Sequence, residues 1–123
     1  MNAFPGFSQP NGLNTSHLSR DPVVVQKYEA DPLVHDKISA ALFYGIYNSG
    51  LWALEHAAEL PLPLLLMHGS CDKIISAQAC QEFAARADGK VTFKLWDGLY
   101  HEIQNEPEQE QVFAYMLDWL ERH

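Results

Sequence analysis

Two side chains in this sequence have the types and placement for acid–base chemistry: Asp72, in His68-Gly69-Ser70-Cys71-Asp72-Lys73, and His101, in Asp97-Gly98-Leu99-Tyr100-His101-Glu102. Each follows an apolar stretch, Leu64 to Met67 in one case and Val91 to Trp96 in the other. A carboxylate that accepts the proton on one ring nitrogen fixes an imidazole's tautomer and stabilises the imidazolium formed when the other nitrogen is protonated. An ordinary imidazole, with a pKa near ~6.5, can do this at physiological pH. Singly, either residue is explained by capping or solvation; their joint placement after two strands is what argues for a general base. Other assignments are weaker. His68, Cys71, Asp72 and His101 include donors suited to a metal. The simpler reading makes His68 the end of a buried strand and Cys71 a small apolar plug, so neither metal nor cofactor is expected. Ser70 lies on the acid's own loop without the glycine frame of a tight elbow, and is not expected to act as a nucleophile.

The elements around these loops can be read from period and punctuation. Leu64 to Met67, bounded by Pro63 and Gly69, reads as a strand covered on both faces. Ser76 predicts a helix start, Ala77, Cys80, Phe83 and Ala84 its buried stripe, and Asp88-Gly89 its end. In Val91 to Trp96 the residues Val91, Phe93 and Leu95 alternate with Thr92, Lys94 and Trp96, as in a half-wet strand near a sheet edge. Asn105 with Glu108 predicts a capping box for a last helix lined by Phe113, Met116, Leu117 and Leu120. Strand, helix, strand implies a right-handed parallel crossover, which puts both loops on the sheet edge where α/β folds place chemistry. An interior strand needs a neighbour on each side and two strands rarely hold alone, so one flank of Leu64 to Met67 is unaccounted for.

Upstream, Met1 to Ser19 reads as irregular. Asp21-Pro22 predicts a helix to about Glu29, and Asp31-Pro32 repeats the signal. Ile38, Leu42, Phe43 and Ile46 follow helical spacing from Asp36, with Gly50 expected to bend or break the helix before Trp52, Leu54 and Ala57. Phe43, Tyr47 and Trp52 read as core packing before they read as a ligand groove. Glu102, Glu106, Glu108 and Glu110 cluster near a helix start, where solvation and the helix dipole explain them.

Composition bounds the rest. A chain of 123 residues, 47% hydrophobic and 20% charged, has room for one core and the balance of a folded protein. A net charge of −8 with no adjacent basic pair argues against nucleic acid as a partner. No apolar run approaches the ~20 residues of a membrane span, and Met1 to Pro10 lacks the pattern of a secretory signal. The expected location is cytoplasmic, with or without peripheral contact to a membrane, and Cys71 and Cys80 are expected as reduced thiols.

Leu64-Leu65-Leu66-Met67-His68-Gly69-Ser70-Cys71-Asp72 and Gly98-Leu99-Tyr100-His101-Glu102 resemble the acid and histidine segments of the monoacylglycerol lipase and lysophospholipase branch of the α/β-hydrolases. Leu18-Ser19-Arg20-Asp21, Tyr28 and Asp31-Pro32-Leu33 resemble the cap of the same branch, so the resemblance runs from about Leu18 to the C-terminus. It implies an α/β fold class: a helical cap segment over residues 1–60, then over 61–123 the C-terminal part of an α/β-hydrolase core, its last two parallel strands with flanking helices. It makes Asp72 the triad acid and His101 the triad base, in the family's serine, acid, histidine order. Tyr28 would face the polar head of a monoglyceride and Ile74 would line the acyl passage. The family's Gly-x-Ser-x-Gly is absent from this sequence, as is its oxyanion loop. The chain therefore reads as the C-terminal half of a lipid-ester hydrolase that needs no cofactor and is nearly inert alone. A rival reading is a non-catalytic module that associates with a separate N-terminal half or with itself.

Overall fold

A computed structural model describes residues 6–123; the irregular character expected of the first five lies outside the described residues. At its centre β3 (Leu64–Gly69) and β4 (Val91–Trp96) pair in parallel, Leu64 opposite Val91 through Gly69 opposite Trp96. The strand expected to stop at Met67 thus runs two residues further. Gly69 is required there by close approach: a Cβ on it would fall on the Leu99 and Tyr100 carbonyl oxygens. The two trailing loops are laced together beyond it. The Ser70 amide donates to the Trp96 carbonyl (2.8 Å) and the Cys71 amide to the Leu99 carbonyl (2.9 Å).

Between these strands runs α3 (Ala77–Arg86), started by Ser76, whose hydroxyl accepts from the Ala79 amide at 3.2 Å. It is closed by Asp88 and Gly89 at φ of 51° and 76°. The left-handed pair gives the C-terminal turn that Asp-Gly predicts. The stripe Ala77, Cys80, Phe83 and Ala84 is half-buried. The last helix, α4 (Gln109–Glu121), forms without the expected capping box. Asn105 sits a turn too early, ending a 3-10 turn (Ile103–Asn105), and its amide donates to Glu102 instead. Val112 is the fully buried member of α4, joined by Met116 against Leu99 and Ile103. Phe113, Leu117 and Leu120, expected to face a core, are exposed.

Upstream, Asp21 caps α1 (Pro22–Ala30) by accepting from the Val23 amide at 2.8 Å, with Pro22 in the first turn, as expected. Asp31-Pro32 starts no helix; the Asp31 carboxylate accepts from the Leu33 amide in a local turn. Two further expectations fail here. Ser8–Pro10 (β1) is extended and pairs antiparallel with Lys37–Ser39 (β2), a segment whose spacing had suggested helix. Helix begins only at Ser39, which caps α2 (Ala40–Glu55), and α2 continues through Gly50 without a break. Glycine in a helix interior is unfavourable by only about 1 kcal/mol relative to alanine, too little to interrupt sixteen residues with good capping.

Among the described residues β3 has one strand partner, β4. Leu64 to Met67 are accordingly half-buried, not covered on both faces, and only His68 and Gly69 are buried. The unpaired flank foreseen from the sequence is present. Phe43, Ile46, Tyr47 and Trp52 on α2 are exposed, as are Leu117 and Leu120 on α4. Among the described residues no helix is long and apolar enough to cross a membrane.

Candidate active site

Parallel strands of equal length end level, so the loops after β3 and β4 meet at one rim. There His101 Nδ1 lies 2.9 Å from Asp72 Oδ2. The Asp72 side chain is 2% exposed and that of His101 34%, which gives a shielded acid beside a base that solvent or substrate can reach. Asp72 Oδ1 accepts from the amides of Ile74 (2.7 Å) and Ile75 (3.1 Å). Burial pushes the Asp72 carboxyl upward, but the hydrogen bonds from His101, Ile74 and Ile75 together prevail and hold it below its ordinary 3.8. An ionised carboxylate can only accept, so Nδ1 of His101 carries the hydrogen and Nε2 is left bare when the ring is neutral. On α3, burial and then the Asp72 charge push the Cys80 thiol up, keeping it neutral.

A depressed carboxylate makes stability depend on pH in a definite direction. The contribution of Asp72 is fully present above its ordinary value and is lost as pH falls through the lower value of the folded state. Urea unfolding should therefore show a larger loss of stability between about pH 6 and about pH 3 for the wild type than for Asp72→Asn. Equal losses would show that Asp72 carries no folding-linked proton.

The histidine loop is fastened on both sides of His101. Before it, the Tyr100 amide donates to Glu106 Oε1 at 2.8 Å; after it, the Glu102 amide donates to the Leu18 carbonyl at 2.8 Å. Glu106 also receives Arg20 Nε at 2.8 Å, and its side chain is wholly buried. The Ser19 hydroxyl donates to the Asn105 carbonyl at 3.0 Å. Glu106 is thus no solvated helix-start acid but the centre of a clasp between Leu18–Arg20 and the histidine loop. Charge clustering in the sequence pointed to solvation; only the Arg20 partner, 86 positions away, reveals otherwise. Ser70 is likewise structural, its hydroxyl accepting from the Gly98 amide at 2.8 Å and lying 3.2 Å from Asp97 Oδ1.

Of the other residues singled out from the sequence, Ile74 and His68 reach Asp72. Tyr28 is half-buried and lines a hollow of about 290 Å³ with Glu102 and Asn105. Ile74 is half-buried and lines a different hollow with Lys73 and Leu13, while its amide holds Asp72. Cys71 is exposed and free. Among the described residues no group of His, Cys, Asp or Glu is arranged to hold a metal ion. His68, expected as a strand end, has a further contact: its Nε2 is 3.1 Å from Asp72 Oδ2.

Parallel strands with an acid–histidine pair at their trailing edge are consistent with the C-terminal part of an α/β-hydrolase fold. Comparison with known proteins agrees. The sequence model of the family described as serine aminopeptidase, S33, matches residues 1–108. A monoacylglycerol lipase of Mycolicibacterium smegmatis is 38% identical over 121 residues, covering 97% of this chain and 43% of that protein. Phospholipase YtpA of Bacillus subtilis is 32% identical over 115 residues, 89% of this chain and 43% of that protein. The crystal structure of Paleococcus ferrophilus monoacylglycerol lipase superposes with a TM-score of 0.92 at 32% identity, over 97% of this chain and 47% of that chain. The chain belongs to the serine aminopeptidase S33 family of α/β-hydrolases, in its monoacylglycerol lipase branch. It spans less than half the length of these relatives.

Proposed function

We propose that Asp72 and His101 are the acid and base of a Ser-Asp-His triad that hydrolyses carboxylic esters of the monoacylglycerol or lysophospholipid type. The observation that carries this reading is the 2.9 Å contact between a buried Asp72 and an accessible His101. The 123 residues hold no Gly-x-Ser-x-Gly, so the serine and the oxyanion donors belong to the part of the family fold this chain does not span. The engaged hydroxyl of Ser70 speaks against its use in their place. In the reaction, His101 Nε2 takes the serine proton as the serine oxygen bonds to the carbonyl carbon, and delivers it to the glycerol oxygen as that C–O bond breaks. A water then loses a proton to Nε2 and attacks the acyl carbon; the serine oxygen leaves, recovers the proton, and the fatty acid is released.

Lipid esters are favoured as substrates because the similar proteins include monoacylglycerol lipases. Within this reading, residues 1–60 are the cap and 61–123 the core part, Tyr28 turns its phenol to the polar head, and Ile74 lines the acyl passage. A cytoplasmic location, meeting lipid at a membrane surface, goes with it. The test is a chimera in which this chain replaces the matching part of the P. ferrophilus lipase. Monoacylglycerol hydrolysis by the chimera, with none by the chain alone, is the expected result. Hydrolysis of a short aryl ester by the chain alone, with Ser70 labelled by a fluorophosphonate, would overturn it.

A second reading rests on the apolar faces of α2 and α4 and on β3's single partner. Several large apolar side chains exposed along one helix, beside a strand with an open flank, favour an associating module, covered by another half or by a second copy. Light scattering on the chain alone should then report a dimer or larger species. A monodisperse monomer would count against it.

A further inference from the structure

We infer that Glu106, with Arg20 as its partner, is a positioning residue for His101: by accepting from the Tyr100 amide it sets the loop that brings the imidazole to Asp72. The assignment rests on the reading of Asp72 and His101 as acid and base. Gly98, at φ 75°, turns the chain out of β4. Leu99 and Ile103 are buried and pin the two ends of the loop, whereas Tyr100, His101 and Glu102 between them are half-buried. The backbone bonds on either side of His101 lead away from its own strand. The Tyr100 amide donates to Glu106 Oε1 at 2.8 Å and the Glu102 amide to the Leu18 carbonyl at 2.8 Å. Both lead to one place, because Leu18 sits just ahead of Arg20. Arg20 Nε donates to Glu106 Oε2 at 2.8 Å, and the Arg20 amide lies 3.3 Å from each carboxylate oxygen. The base is thus held by a residue 86 positions from its anchor in the chain.

Filling space does not call for a carboxylate here. A buried ion pair gains little over well-packed apolar side chains of similar volume, because desolvation offsets the attraction. An apolar side chain, however, offers no acceptor, and the wholly buried Glu106 side chain offers two, one for each segment it joins. Hydrogen bonds weaken steeply as they bend, so with Oε2 held on Arg20 the Tyr100 amide has one favourable place to meet Oε1. The next residue is His101, whose Nδ1 stands 2.9 Å from Asp72 Oδ2. Slackening the Tyr100 bond moves the ring from that contact, and a displacement of about 1 Å in a reacting group can lower a rate about hundredfold. The hold on the tautomer weakens with it, since only the Asp72 contact keeps the hydrogen on Nδ1.

Two measurements test this, each made well below the unfolding midpoint of the variant concerned: kinetics of the chimera, and nitrogen-15 NMR of the histidine rings in the 123-residue chain at a pH where they are neutral. Glu106→Leu fills the space without an acceptor. It should lower kcat about hundredfold with KM little changed, and turn His101 from a single Nδ1–H species into a mixture of both tautomers. Glu106→Gln keeps an oxygen for the Tyr100 amide and should recover most of the kcat loss and the single tautomer. A clasp that served stability alone would lower the unfolding midpoint of the Leu variant and leave kcat and the tautomer of the folded molecules as in the wild type; that result overturns the inference, as does a Gln variant no better than Leu. If the Leu variant does not fold, Arg20→Gln decides: it frees Oε2 while leaving the Tyr100 bond, so kcat should fall less far in the same direction, and an unchanged kcat overturns the inference. An active chimera indifferent to Glu106 removes the positioning role alone; an inactive chimera, with a His101 tautomer that still answers to Glu106, removes the esterase reading and leaves the positioning geometry.

Discussion

Replacing His101 by alanine in the chimera with the P. ferrophilus lipase is expected to lower kcat for monoacylglycerol hydrolysis by roughly a millionfold, with KM little changed. The size follows from the role. In the proposed role the ring takes the serine proton and returns it to the leaving oxygen, so its loss would remove both proton transfers, and no neighbour can replace it: His68 is buried with its Nε2 engaged on the Ile75 carbonyl. Asp72→Asn should be milder, roughly ten-thousandfold, because the base survives and only its tautomer is spoiled. An asparagine amide turned toward His101 meets Nδ1 as a donor, which drives the ring hydrogen to Nε2 and leaves nothing there to accept the serine proton. Initial rates at saturating substrate check both values. A loss of less than about tenfold for His101→Ala would mean that the imidazole does not carry the proton.

The second large effect falls on stability. Glu106→Ala is expected to lower the unfolding free energy of the chain by about 3 kcal/mol, read from the urea midpoint at neutral pH. Truncation leaves the Tyr100 and Arg20 amides without their acceptor and removes the guanidinium's buried partner. Against a total that for single domains runs to about 5–15 kcal/mol, this is a substantial fraction. Arg20→Ala should also destabilise, by leaving a buried carboxylate short of its countercharge, and the double variant should lose less than the two single losses added. Additive losses would show that the two side chains contribute independently. Because the clasp grips Tyr100 while Leu18 grips Glu102, the same variants should broaden the NMR signals of the His101 loop before those of α3.

Much of the candidate site is legible in the sequence. Asp72 and His101 were found because strand and turn signals are local: the apolar run Leu64 to Met67, the Ser76 cap and the Asp88-Gly89 stop are each set by residues within about one turn of chain. The parallel crossover then follows from chain length and handedness, and it brings two loops to one rim without any knowledge of side-chain contacts. The same local logic misread Asp31-Pro32 and Asn105 with Glu108, where a carboxylate or an amide has more than one neighbour to satisfy. It also took Lys37 to Ser39 for helix, since three residues with a helical apolar period cannot announce a partner strand some thirty positions earlier.

By itself, then, the sequence determined the order strand, helix, strand, helix from Leu64 onward, the caps of α1 and α3 and the glycine stop of α3, and the identity of an acid and a histidine on neighbouring loops. Tertiary structure alone decided that Glu106 is buried on Arg20, that Ser70 ties one loop to the other, and that the buried His68 ring meets the Ile75 carbonyl. The division has one physical cause. Backbone propensity and capping act over a few residues and leave their mark in spacing, whereas the satisfaction of a buried polar group depends on whichever distant atom the fold brings within about 3 Å.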